Sequence, residues 1–361
     1  MRSLRLAGAA LAGVLAFGAA IPAQAATTPG WRQVLSEHYG VAANYSAFGS
    51  VLALAKNNAW ALGATDASGA TTPEAVAEHW NGKTWSAVPM PAGADGEVTG
   101  ASAASASSIW AVTDNGPQTQ TAYVLYWNGS EWSVSEKLTG FGELTGVTAV
   151  SARNVWVFGG PGGEPGFGTY HYNGNAWEQV TAASNAGIEN GSAVSATNIW
   201  AVGSTEAPED SVYHYNGKSW GHVTAPALSG LQFGTIHAYS ASNVWATAID
   251  GTDATSPSVL VHYNGKTWTR YKLPWTLQLG RFAPDGHGGF WLTGYSFSTT
   301  TDATTSYLVH RTSAGVWSRV STSADPSDLA LTPGTASLWG VGFVREKTGS
   351  NAVILADGTL P

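Results

Sequence analysis

The chain has 361 residues, a formal net charge of −8, 11% charged residues and no cysteine. No basic stripe is present to neutralise phosphates, which argues against a nucleic-acid or anionic-membrane partner, and no disulfide can staple the fold. With 44 Gly and 17 Trp, the composition suits an all-β protein with many tight turns.

Residues 1–25 stand apart. Arg2 and Arg5 give a positive start, Leu6 to Ala20 is an apolar run too short for a bilayer, and Ala23-Gln24-Ala25 is a small-residue cleavage site. The segment is expected to be a secretory signal peptide cut before Ala26, which makes the protein secreted and extracellular. Losing its two arginines leaves 14 Lys+Arg against 24 Asp+Glu and moves the formal charge from −8 to −10. No later apolar run approaches the ~20 residues of a spanning helix, so no membrane insertion is expected. Residues 26–361 are expected to form one domain, long enough to build its own core.

Two strings then recur along the chain. The first reads "AKNNAWA" at 55–61, "SASSIWA" at 105–111, "SARNVWV" at 151–157, "SATNIWA" at 195–201 and "SASNVWA" at 240–246. Degenerate copies are "DGHGGFW" at 285–291 and "TPGTASLW" at 332–339. Its Trp falls at 60, 110, 156, 200, 245, 291 and 339, in steps of 50, 46, 44, 45, 46 and 48. The second string reads "HWNGKTW" at 79–85, "YWNGSEW" at 126–132, "HYNGNAW" at 171–177, "HYNGKSW" at 214–220 and "HYNGKTW" at 262–268. Its Trp series, 85, 132, 177, 220, 268 and 317, interleaves with the first. A period in the mid-forties, with several strand patterns per unit, is the signature of a β-propeller blade.

The unit around Trp245 resolves into four strands. Strand A is predicted over 235–239, B over 244–249, C over 259–263 and D over 267–271. Ser and Asn of "SASN" can turn the chain between A and B by bonding their own backbone. Asn264-Gly265 marks the C–D hairpin, because both residues tolerate positive φ. The last unit ends after its strand C. The missing strand D lies at the other end, where "PGWRQV" at 29–34 matches "GKTWSAV" at 82–88 with Trp31 in the strand D place. The expected architecture is an all-β, seven-bladed β-propeller with four antiparallel strands per blade, its last blade closed by the strand around Trp31.

With these repeats the chain resembles secreted, Trp-rich β-propeller proteins of actinobacteria, whose blades carry "NVWAVG…HWNGxxWS". It is more distantly similar to Asp-box and kelch-type propellers. The "NGKTW" string overlaps the G-x-T-W end of the Asp box, but has Asn in the Asp place and a turn one residue shorter. The resemblance covers the whole chain after residue 25 and implies fold. It implies little about activity, since propellers host many unrelated ones.

The repeat also sorts the candidate functional residues. Sixteen of the seventeen tryptophans occupy repeat positions and read as packing between blades. Trp275, in "KLPWTLQLG", has no counterpart in other units and is the candidate stacking anchor. His79, His171, His214, His262 and His310 share one slot around the ring, so they read as structural rather than as converging metal ligands. No metal and no cofactor is expected. The B–C and D–A loops vary most between units and should share one face. On or beside them lie Phe141, Phe167, Phe233, Arg281 and Tyr295, together with an acidic rim of Asp66, Asp114 and Asp250. The favoured reading is a non-catalytic, monomeric module that binds an extracellular glycan or partner protein through that face. The alternative is a polysaccharide hydrolase or lyase using two carboxylates among Asp66, Asp114, Glu206, Glu209, Asp210, Asp250 and Asp253.

Overall fold

The computed structural model describes residues 30–39, 45–65, 72–115, 121–140, 143–159, 167–180, 187–203, 212–251, 258–298, 300–301 and 303–358. The expected signal peptide lies outside them. Every regular element among the described residues is a strand, and the strands form seven four-stranded antiparallel sheets. No helix there is long and apolar enough to cross a membrane.

Strand β1 (Arg32–Glu37) comes first in the chain and belongs to the last blade. Blade 1 is β2 (Ala47–Ala55), β3 (Asn58–Thr65), β4 (Glu74–Trp80) and β5 (Trp85–Ala87). Blade 2 is β6 (Glu97–Ser105), β7 (Ser108–Asp114), β8 (Thr121–Trp127) and β9 (Trp132–Thr139). Blade 3 is β10 (Leu144–Ser151), β11 (Asn154–Gly159), β12 (Tyr170–Tyr172) and β13 (Trp177–Gln179). Blade 4 is β14 (Ile188–Ser195), β15 (Asn198–Gly203), β16 (Val212–Tyr215) and β17 (Trp220–His222). Blade 5 is β18 (Leu231–Ser240), β19 (Asn243–Asp250), β20 (Ser258–Tyr263) and β21 (Trp268–Lys272). Blade 6 is β22 (Gln278–Pro284), β23 (Phe290–Ser298), β24 (Ala303–Arg311) and β25 (Trp317–Thr322). Blade 7 is β26 (Asp325–Leu331), β27 (Leu338–Arg345) and β28 (Ser350–Asp357), completed by β1 on its outer edge. Arg32 pairs with Ala356 and Glu37 with Ala352, so the ring closes as the repeat count requires.

Each B strand is apolar on both faces because both are covered by neighbouring blades. In β7, "SIWAVTD", six consecutive residues are buried. The D strands are outer edges and are half wet, as in the short β5. Between blades, the B-strand Trp of one meets the D-strand Trp of the next edge to face. The pairs are Trp60–Trp132, Trp110–Trp177, Trp156–Trp220, Trp200–Trp268, Trp291–Trp31 and Trp339–Trp85. Their centroids are 5.0–5.8 Å apart at 75–85°. Burying one such ring contributes roughly 4–6 kcal/mol before entropy is subtracted. The seam between blades 5 and 6 differs. Arg311 sits there, 4.9 Å over Trp245 and 5.8 Å from Trp317.

Two predicted details change. The inner strand of blade 5 runs four residues further back than 235, to Leu231, because a register irregularity between Phe233 and Ile236 hides its alternation from the sequence. The C–D loop is one residue longer than the three that the predicted strand bounds leave. Tyr263 pairs with Trp268, leaving a four-residue loop in which Asn264 Oδ1 accepts from Lys266 N at 3.0 Å and Thr267 N at 2.9 Å. Gly265 carries a left-handed backbone there, at φ 91°. Asn128, Asn173 and Asn216 close their loops the same way.

Candidate functional site

The two recurring strings meet in space. In blade 5, Asn243 Oδ1 accepts from Trp245 Nε1 and from His262 Nε2, each at 2.9 Å, and the His262 ring stacks on Trp245 at 4.2 Å. The same bridge recurs at Asn58, with Trp60 and His79, and at Asn154, with Trp156 and His171, while Asn198 bonds His214 and the Trp200 indole N–H finds no acceptor. In blade 6 Asp285 takes the Asn role toward His310, at 2.9 Å. Burial would raise the Asp285 carboxyl, but hydrogen bonds from His310, His287 N and Gly289 N outweigh it and hold the group below the usual carboxylate value. The histidine slot is therefore structural, as its place in the repeat predicts. No group of three or more His, Cys, Asp or Glu among the described residues is placed to hold a metal ion.

The repeated turns share one face. A Cβ on Gly265 would lie 2.7 Å from Ser242 Cβ, and one on Gly82 would lie 2.8 Å from Asn57 Cβ, so each C–D loop nests on the A–B turn of its own blade. The B–C and D–A connections leave the opposite ends of the same strands. The variable chemistry is on that face and in the channel below it.

The channel has a ring position of its own. Two residues before the inner-strand residue that pairs with each B-strand Trp stand Ser50, Gly100, Gly146, Asn190, Thr235, Arg281 and Asp328. All seven line a central cavity of about 300 Å³. Arg281, from blade 6, crosses to blade 2, where its Nη2 donates to Thr99 O at 3.1 Å. Asp328 accepts from Ser50 Oγ at 3.2 Å and Val51 N at 3.1 Å, sewing blade 7 to blade 1. Burial raises the Asp328 carboxyl, opposed by the charge of Arg281.

A second cavity, of about 500 Å³, opens between blades 6 and 7 on the loop side. Hairpin β23–β24 outgrows its inner strand. Tyr295 still pairs with Gln278 of β22, but Ser296 to Ser298 pair only with β24. Tyr295 and Phe297 are alternate residues on one side of β23 and are 47% and 56% exposed. Tyr295 shares the cleft with Phe343 and Arg345 of β27, also alternate residues. Arg345 lies 5.3 Å over the Phe343 ring and donates through Nε to Asp325 Oδ2 at 3.0 Å. The other Asp325 oxygen accepts from the Ser306 hydroxyl. Both Asp325 oxygens are thus engaged, while the Arg345 side chain is 69% exposed with its terminal nitrogens unpaired among the described residues.

The predicted site residues do not form one cluster. Tyr295 lines the cleft between blades 6 and 7, and Arg281 lies in the channel. Trp275 is half-buried against the core around Leu277 and Phe290, with Arg319 stacked on its ring at 4.8 Å. Phe167 and Phe233 are 2% and 8% exposed and belong to the core, Phe233 because the inner strand β18 extends back to include it. Asp250 is paired with Arg270 at 3.2 Å. Asp114 stands opposite Glu97 across the β6–β7 ladder. Burial and the Asp114 charge both push Glu97 up. Asp66, Phe141, Glu206, Glu209, Asp210 and Asp253 lie outside the described residues. Sequence reasoning passed over Phe297, Phe343 and Asp325. The signal for Phe297 was the alternation of "WLTGYSFS", which runs on beyond the Gly at which β11 and β15 stop.

Fold and site together define a closed seven-bladed β-propeller whose turn face is repetitive and whose loop face is individual. No family model matches the chain, and no curated protein matches it in sequence. Among solved structures it is similar to "YCF48 bound to D1 peptide", with a TM-score of 0.59 and 13% identity, covering 94% of this chain and 97% of that one. It is also similar to "YCF48 from Cyanidioschyzon merolae", with a TM-score of 0.55 and 14% identity, covering 91% of this chain and 98% of that one. Identities this low establish a shared fold.

Proposed function

We propose that the protein is a secreted, non-catalytic recognition module that binds a segment of a partner protein on its loop face, in the cleft between blades 6 and 7. One observation carries this reading: the exposed ring of Tyr295 lines one cleft with an Arg345 whose terminal nitrogens are free among the described residues, and the exposed Phe297 follows two residues along the same side of β23. Exposed aromatics flanking an arginine are the composition of binding hot spots. A protein partner is supported by the similar fold of YCF48, whose structure is titled as holding a peptide. Extracellular action is supported by the signal-like residues 1–25 and by the likeness of the repeats to secreted actinobacterial propellers. A ring closed by β1 leaves no open blade for self-association, which supports a monomer.

An extracellular glycan is the second reading, favoured by the same rings, which would stack on a sugar. The alternative of a polysaccharide hydrolase or lyase would draw its carboxylate pair from Asp114 and from Asp66, Glu206, Glu209, Asp210 and Asp253, which lie outside the described residues, since Asp250 is engaged by Arg270. The test is selection from a random-peptide display library, and in parallel a glycan array, with residues 26–361 and with a Tyr295→Ala/Arg345→Gln variant. Peptides that enrich on the native chain and not on the variant support the reading. Enrichment indifferent to the two changes, or binding on the array alone, overturns it in favour of another surface or of the glycan.

A further inference from the structure

The central cavity carries a second site, independent of the cleft. Its volume of about 300 Å³ is at the lower end for small-molecule pockets. Three of its lining side chains come from different blades and turn unused hydrogen-bonding groups toward it. Arg281 gives one guanidinium nitrogen to Thr99 O and, among the described residues, has no other acceptor. It comes within 4.0 Å of no carboxylate oxygen there, since the ion pairs are those of Arg270, His310 and Arg345. Asn190 uses its oxygen for Ile236 N at 3.3 Å and leaves its amide N–H groups unpaired. His237 is partly buried beside the cavity, its ring packed on Tyr239 at 4.3 Å, with no hydrogen bond to any described residue.

The other polar groups of the wall are engaged. Ser192 Oγ accepts from Ala238 N, Ser102 Oγ accepts from Ala149 N, and Thr148 Oγ1 donates to Gly191 O. Asp328 is held by Ser50, Val51 and Leu329. What remains free is mostly donor: a guanidinium fork, an amide and a neutral imidazole, which offers one N–H. Gly100 and Gly146, in the ring positions of blades 2 and 3, have no side chains and keep the space open. A planar oxyanion matches a guanidinium fork in both geometry and charge. We infer that the channel is a binding site for a small carboxylate, held by Arg281 with Asn190 and His237 completing its hydrogen bonds. These three side chains converge on one cavity, so a single carboxylate can accept from all of them.

The test uses the full chain, sodium succinate as probe and sodium chloride of equal ionic strength as control, followed through arginine Nε–Hε resonances. The Arg281 resonance, assigned from its loss in Arg281→Gln, should shift saturably with succinate and not with chloride. Arg281→Gln should abolish the binding, read as loss of succinate-dependent thermal stabilisation. Asn190→Asp keeps the oxygen that bonds Ile236 N but adds a negative charge to the ring, and should weaken succinate by at least about tenfold. If Arg281→Gln does not fold, Asn190→Asp decides alone. No saturable response in the native chain, or native affinity in either folded variant, overturns the assignment.

Discussion

His262 Nε2 and Asn243 Oδ1 lie 2.9 Å apart, and the same oxygen accepts the Trp245 indole. With the amide oxygen shared by two donors, His262 must carry its proton on Nε2. Burial holds His79, His171, His214 and His262 below the usual imidazole value, with the nearby Arg311 charge adding to the effect at His262. Burial pushes His237 down to about 4. In the unfolded chain all five titrate near about 6.5. The unfolded state therefore takes up more protons once the pH falls below that value, so stability is full above it and declines as the pH drops. Melting temperature should fall steadily from about pH 7 to about pH 5. A flat profile across that interval sinks the claim that these histidines fold neutral. Asn243→Ala, which orphans two buried donors, should cost about 1–3 kcal/mol at neutral pH in urea unfolding.

Arg311 occupies the place that Tyr263 fills in blade 5, and its Nε finds no acceptor. Arg311→Tyr should restore the aromatic seam and raise stability by about 0.5–2 kcal/mol. It also removes a cation near His262, so the His262 imidazole should titrate higher in the variant, visible in its proton resonances. A loss of stability would mean that the guanidinium stack over Trp245 is the better packing.

Gly265 separates backbone strain from contact. Gly265→Ala meets both a left-handed φ of 91° and a Ser242 Cβ 2.7 Å away, whereas Gly93→Ala meets a φ of 77° and open space. The Gly93 variant should lose only the strain, about 1–2 kcal/mol. The Gly265 variant should lose measurably more. Equal losses in chemical denaturation would mean that the turn face yields without resistance.

Trp31 is the one D-strand ring supplied from the start of the chain, and it meets Trp291 edge-on at 5.7 Å. Trp31→Ala should cost about 3 kcal/mol, the low end for a Trp removed from a core, because the ring is partly exposed. Tyr39 adds a second tie, donating to the buried Glu78 of blade 1 at 2.9 Å. Tyr39→Phe should weaken the same closure without disturbing Trp31. A Trp31→Ala protein as stable as the native one would mean that β1 is dispensable to the ring.

Blade number, strand order and closure were legible because they follow from Trp spacing, which reports burial directly. The Asn243–Trp245–His262 bridge was half legible: both strings were visible, but their joining depends on which residues the β19–β20 register places side by side. The channel position of Arg281 was not legible as a crossing, since Thr99 is 182 residues away and only ring geometry brings it near. The surroundings of Trp275 were not legible either, since its uniqueness in the sequence says nothing about Arg319, which stacks on its ring. The cleft between blades 6 and 7 escaped notice because neither Tyr295 nor Phe343 is unusual alone. It takes the outgrown β23–β24 hairpin to bring them to one cleft.

Strand β1 runs antiparallel to β28 with Arg32 beside Ala356, so the first and last strands of the ring leave the same edge at the same corner. Tension applied between those two points would load the hydrogen bonds of the ladder in succession rather than together. The seam should peel open like a zip at low force, while blades pulled from within would resist by shear. A single-molecule extension trace would then begin with one small early release at blade 7, before any of the other six gives way.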